Sequence, residues 1–297
     1  MADLYRKSAL EKISNPEQLD KALVVTSPLS WLALVAVTLI LVVTVVWSVV
    51  GRIPETLTLG GYVVAGNGNV SAVYSDWTGT VQKVHVRKGD PIYAETKLAD
   101  IVLPDGTLKT IVSDINGRVT TVAVQVGQEL NSIGQPVLYF APTDGKLNQL
   151  TNAPVLRNQM VICYVPSKAG SDMSGQLARG NRVHLTPAGE NSQSAGHMMG
   201  RVLYVEKYNA SQTSVQLVTG SDQVYSDNAG NGAIKAVVIL LDERQDGTAG
   251  NNPYVWSNPK GQNLTVDNGD TFTVRIIVKE VRPIEKLFAK IGEVLGW

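Results

Sequence analysis

The sequence predicts a mainly β protein hung on one N-terminal apolar helix. A repeat-built β sandwich, a small β-barrel and a C-terminal amphipathic helix follow in order. Three observations carry this prediction. A 20-residue stretch has no charge, a 16-residue pattern occurs twice, and short alternating apolar runs then recur between Gly-, Asn-, Ser- and Pro-rich clusters. The 27 Gly and 13 Pro of the 297 residues fit a turn-rich chain. Lys and Arg number 26 and so do Asp and Glu, which excludes a nucleic-acid binder built on a basic field. The one cysteine, Cys163, excludes an internal disulfide framework and any paired-cysteine zinc site.

Residues 1–30 form a short leader. Leu4, Tyr5, Ala9, Leu10 and Ile13 fall at helical spacing, and Ser14-Asn15-Pro16 breaks and re-caps the chain. A helix this short needs lipid or a partner to hold it, so Leu10 and Ile13 are candidate partner contacts. From Trp31 to Val50 the chain then reads WLALVAVTLILVVTVVWSVV. At 1.5 Å per residue its length matches a hydrocarbon core of about 30 Å, and it lacks the small-residue exit of a cleaved signal peptide. Trp31 and Trp47 lie near its two ends, where indole rings favour the interface. Arg6, Lys7, Lys12 and Lys21 precede the span, against Arg52 alone just after it, which places the N-terminus in the cytoplasm and the bulk of the chain outside.

The exported part, 54–145, opens with the repeat. Residues 75–90 read SDWTGTVQKVHVRKGD and residues 113–128 read SDINGRVTTVAVQVGQ. Ser, Asp, Gly, three Val and a final Gly recur at the same seven places, 38 residues apart. Gly79 and Gly117 suit a turn with positive φ, the valines after them face inward along a strand, and Gly89 and Gly127 end each strand in another turn. Neither half is large enough to bury its own apolar face, so the two interlock into one sandwich.

Residues 155–282 read as a barrel. Its strands are expected over 160–165, 182–186, 201–205, 214–218, 234–241 and 271–281, with the nearly continuous apolar run at 234–241 in the centre. Pro283 opens the last element, 283–297. Ile284, Leu287, Phe288, Ile291 and Leu295 form one stripe, and Leu287, Phe288 and Ile291 are candidate contacts for a partner or a membrane surface. Packing on the barrel itself is the other reading. Nucleophile-elbow, P-loop and zinc-protease motifs are missing, and the three His stand singly at 85, 184 and 197. His197-Met198-Met199 is too short a cluster to define a soft-metal site. The reading is of no enzyme, no cofactor and no metal.

The duplicated pattern resembles the two half-motifs of a lipoyl-like, or barrel-sandwich hybrid, domain. Behind an N-terminal anchor it looks like a haemolysin-D-type membrane fusion protein, the periplasmic adaptor of bacterial exporters. The leader from Arg6 to Asp20, then Val25-Thr26-Ser27-Pro28, the span and Gly51-Arg52-Ile53-Pro54 are similar to the NHLM bacteriocin-system secretion proteins. The resemblance implies an inner-membrane protein paired with an ABC transporter, often one with a cysteine-peptidase domain. It further implies a small-peptide cargo and a homo-oligomer, expected to be a hexamer. One departure stands out. Such adaptors usually insert a long coiled-coil hairpin between the half-motifs, whereas residues 92–112 join them here and Asp105-Gly106 signals a tight β-hairpin. A lipoate or biotin carrier would display its lysine at that hairpin tip, but Lys97 and Lys109 lack the flanking residues carriers show. Two readings stay open: an exporter adaptor, and a membrane-anchored envelope scaffold or binding module with no transport role.

Overall fold

A computed structural model describes residues 28–145, 156–168, 171–189, 192–230, 232–244 and 252–286, with 288 and 290. The chain divides into two units, Met1–Ile53 with Glu280–Trp297, and Pro54–Lys279. In the first, helix α1 (Pro28–Val50) contains the whole apolar span, long and apolar enough to cross a membrane, with no part of it buried in protein. Its hydroxyls do not break the ladder. Thr38 Oγ1 donates to the Leu34 carbonyl and Thr44 Oγ1 to that of Ile40, both at 2.8 Å, so neither is left unpaired in an apolar surround. Gly51 ends the helix by donating to the Trp47 carbonyl at 2.7 Å, where a Cβ would lie 2.5 Å from that oxygen. Positions 283–286, 288 and 290 are helical, and Phe288 is 65% exposed. Leu10, Ile13, Leu287 and Ile291 lie outside the described residues.

Among the described residues the β unit holds fifteen strands in three sheets. After β1 (Ile53–Ala65) come eight short strands: β2 (Ser71–Tyr74), β3 (Gly79–Val84), β4 (Pro91–Ile92), β5 (Lys97–Val102), β6 (Leu108–Val112), β7 (Gly117–Val122), β8 (Glu129–Leu130) and β9 (Pro136–Pro142). They form two four-stranded sheets, β2-β9-β7-β4 and β6-β5-β3-β8. Exchanging β2–β5 for β6–β9 converts one order into the other. The repeat in the sequence is therefore an approximate two-fold in space, and each sheet borrows strands from both halves.

The hydrogen bonds are reciprocal as well. Gly89 N donates to the Val119 carbonyl and Gly127 N to that of Val81, while Val119 N donates to Asp90 O and Val81 N to Gln128 O. Val81, Val86, Ile92, Val119, Val124 and Leu130 fill the core between the sheets. Gly89 (φ +94°) and Gly127 (φ +87°) sit in turns that need the left-handed region. Gly79 has the expected positive φ (+153°), whereas Gly117 corrects the expectation, having no positive φ; the two open strands β3 and β7. Both stand where another strand approaches closely. A Cβ on Gly79 would lie 2.3 Å from the Val102 carbonyl oxygen, and one on Gly117 2.6 Å from that of Ala141.

The third sheet comprises β10 (Gln159–Lys168), β11 (Ser171–Asp172), β12 (Arg182–Pro187), β13 (Met198–Val205), β14 (Ala233–Leu241) and β15 (Thr271–Val281), in the order β1-β15-β12-β13-β14-β10-β11. Strand β1 also pairs with β10, Gly61 opposite Cys163 and Ala65 opposite Gln159, so six strands close into a barrel. The range 54–145 thus contains one strand, β1, whose partners lie in the barrel. Val161, Cys163, Val183, Leu185, Val237, Ile239, Val274 and Ile276 fill the interior. Burial pushes the Cys163 thiol up to about 12, so it packs as a small apolar group and not as a nucleophile.

Two short helices cover the outside of β10 and β14: α3 (Gln212–Thr219) and α4 (Gln223–Ala229), with α2 (Ser192–Ala195) lying earlier in the chain. Between strands and helices Met160, Ile162, Tyr164, Val215, Val224, Val238 and Leu240 form a second apolar layer. This is why 234–241 is apolar at nearly every position: both of its faces are covered. Residues 214–218, expected as a strand, belong to α3. Ser211 Oγ accepts from Ser214 N at the N-cap, and Gly220 (φ +75°) closes the other end by donating to the Gln216 carbonyl.

Candidate functional site

The most specific chemistry in the β unit lies where the barrel meets the duplicated sandwich. Strand β13 ends at Tyr204-Val205 and the chain continues as Glu206-Lys207-Tyr208, and backbone bonds from Glu206 N to Ala236 O (2.9 Å) and Ala210 N to Ile234 O (2.7 Å) pin that segment to β14. From this fixed base Glu206 enters the sandwich. Its Oε1 accepts from Ser71 Oγ at 2.8 Å and Ala72 N at 3.1 Å, and its Oε2 accepts from the Tyr74 hydroxyl at 2.7 Å. The carboxyl is fully buried. Desolvation raises its pKa to about 7 against the opposing pull of the three donors. Burial and the Glu206 carboxylate together hold the Tyr74 hydroxyl far above its ordinary value, so that hydroxyl stays a donor.

Both aspartates of the repeat point at the same segment. Asp76 accepts from Lys207 Nζ at 2.7 Å and from the Tyr208 hydroxyl, and Asp114 accepts from the Tyr204 hydroxyl at 3.3 Å. Burial alone would raise the Asp76 carboxyl, but Lys207 and Tyr208 outweigh it and hold it below its usual range. The Tyr74 and Tyr208 rings pack with centroids 5.7 Å apart, and Phe140 meets Tyr204 edge-on at 6.4 Å. A groove of about 240 Å³ lies between these groups, on the approximate two-fold. Val73 and Ile111, Tyr74 and Val112, and Asp76 and Asp114 line it as equivalent pairs. A second tie lies at Arg157, which bonds Asp144 at 2.8 Å and also Glu243, with its own side chain only 12% exposed.

This arrangement ties the barrel to the sandwich. Glu206, Asp76 and Asp114 each accept hydrogen bonds from the facing β body. The sequence alone does not single out Glu206, Tyr204, Lys207 or Tyr208, although the recurrence of Asp76 and Asp114 is the signal that a shared partner exists. Elsewhere the His184 and His197 rings stack with centroids 4.3 Å apart, and burial, then His197, Arg275 and Arg182, lower the His184 pKa. Met198 is buried in the barrel, and no group of three His, Cys, Asp or Glu able to hold a metal occurs among the described residues. Lys97 opens β5 and Lys109 lies within β6, while the hairpin between those strands turns at Pro104, Asp105 and Gly106.

The architecture is thus a duplicated half-motif sandwich fastened to a closed barrel. No protein-family model matches the sequence, and no curated protein matches it. Solved structures similar to it include ZneB from Cupriavidus metallidurans, at 11% identity over 75% of this chain and 98% of that one, with a TM-score of 0.26. MacA from Actinobacillus actinomycetemcomitans matches at 11% identity over 78% and 81%, TM-score 0.30, and the membrane fusion protein Spr0693 from Streptococcus pneumoniae R6 at 11% over 74% and 98%, TM-score 0.28. Superpositions this loose leave the fold to rest on the chain's own strand order.

Proposed function

We propose that the chain is a membrane-anchored adaptor subunit of a bacterial ABC-type exporter of small peptides, assembled as a homo-oligomer around its transporter outside the inner membrane. The joint at Glu206 carries this reading: three donors on one buried carboxylate, with both repeat aspartates beside it, make the sandwich and barrel one stiff body suited to passing motion or shaping a path. Trp31 and Val50 bound the membrane-embedded stretch. The leader around Leu10 and Ile13 and the stripe of Leu287, Phe288 and Ile291 contact the transporter or the bilayer. The leader's similarity to bacteriocin-system proteins supports the peptide cargo and a transporter with a peptidase domain.

The five-residue hairpin loop Leu103–Thr107 favours a shorter assembly, because β5 and β6 turn back where other adaptors extend a coiled coil. It equally suits an anchored scaffold without transport. Copurification of the full chain from its native membrane, followed by particle imaging, decides between the two. Rings with a central opening bound to an ATPase are expected; monomers free of any transporter overturn the adaptor reading.

A further inference from the structure

The approximate two-fold relates an edge strand that is covered to one that is open. Strand β2 ends the first sheet and β6 ends the second, and Ser71, Ala72, Val73 and Tyr74 correspond to Lys109, Thr110, Ile111 and Val112. All four residues of β2 are buried, and its outward-turned Ala72 N–H is capped by the Glu206 carboxylate. Among the described residues nothing covers strand β6 in this way. Leu103 N bonds Thr107 O, so in the register that follows Ile101–Lys109 is a hydrogen-bonded pair, and Leu108 and Thr110 turn their N–H groups away from β5. Ser113 N bonds Thr96 O, which sends the Val112 N–H outward likewise. Leu108 is 54% exposed and Val112 40%. An open apolar edge invites pairing, and a stable chain usually blunts it.

We propose that the outer edge of β6 is a docking edge for an extended segment of a partner protein that presents a carboxylate between apolar residues. The covered edge supplies the chemistry. At β2 a carboxylate takes one outward N–H and the Ser71 hydroxyl; at β6 a carboxylate would take the Thr110 N–H and the Lys109 ammonium, a stronger, charge-assisted donor. Leu108 and Val112 would pack the apolar flanks. The groove on the two-fold, walled by Trp77, Tyr204 and Tyr208, continues from Thr110 and Val112 and gives the segment's other side chains a place to lie. The edge would take such a segment whether or not the chain serves an exporter.

The test uses the full chain in nanodiscs and a capped peptide of its own residues 203–209 (LYVEKYN), the segment that covers β2. Amide exchange across 108–112 is followed with and without millimolar peptide. Exchange is expected to slow about tenfold, and a peptide with Gln in place of its Glu to bind about tenfold more weakly. Leu108→Lys and Lys109→Glu, both at exposed positions, should each abolish protection while leaving the near-UV circular dichroism unchanged. No protection, equal protection by the Gln peptide, or amides already slow in the protein alone because a second copy covers the edge would each overturn the proposal.

Discussion

At the scale of single residues, the two kinds of glycine in the repeat separate by cause. A Cβ on Gly89 or Gly127 would meet nothing within 4 Å, so these two are required only by their left-handed φ. Gly117 has no positive φ, yet a Cβ there would collide with a strand carbonyl 2.6 Å away. Gly117→Ala should therefore cost about 3 kcal/mol in urea melts, against about 1 kcal/mol for Gly127→Ala. Sequence shows that all four glycines matter but not which constraint acts, because both constraints select the same residue. Glu206 shows the opposite difficulty. In Tyr-Val-Glu-Lys-Tyr it reads as an ordinary solvated turn, and only the fold reveals that it is buried. Its carboxyl, raised from the usual 4.5 to about 7, binds a proton more tightly folded than unfolded. The stability it adds is full below about pH 4.5 and is lost as pH rises through 7, on the order of 3 kcal/mol. Glu206→Gln should flatten that dependence when unfolding is compared at pH 5 and pH 8.

At the scale of elements, legibility follows periodicity and length. Strand β15 runs over 271–281, as its long alternation predicts, and β14 over 233–241 contains the predicted 234–241. Ser214–Val218 misleads because five residues of apolar-polar alternation fit a strand and a half-buried helical turn equally well. The deciding signals lie just outside it, in Ser211 and Gly220. Ser211→Ala should accordingly lower stability by about 1 kcal/mol by calorimetry, with a loss of helical signal. The eight short strands are legible as a pair of halves because a duplication repeats its valines. Their exchange between sheets is not, since a linear repeat is silent on whether its copies lie side by side or interlock.

For the whole molecule, the reading of an anchor, two β bodies and a tail comes from hydropathy and turn composition. The assignment of β1 to the barrel has no sequence signature, because pairing between residues 61–65 and 159–163 depends on registers that alternation alone leaves free. The tail is the part whose role deletion can test directly. Removing 283–297 should leave the melting of the β unit unchanged while lowering recovery of transporter in copurification. An unchanged yield would mean the tail serves neither partner nor membrane.

Barrel closure also fixes an order of events. In the proposed orientation β1 leaves the membrane first, yet its neighbours in the barrel, β10 and β15, are synthesised later, and β15 nearly last. The sandwich can complete itself once residue 142 has crossed, but β1 stays extended and unpaired until β10 follows, and its edge toward β15 stays open until residue 281 arrives. For that interval the emerging chain carries an exposed strand directly after its apolar span. A chaperone that shields extended segments during translocation would find its natural client in residues 53–65.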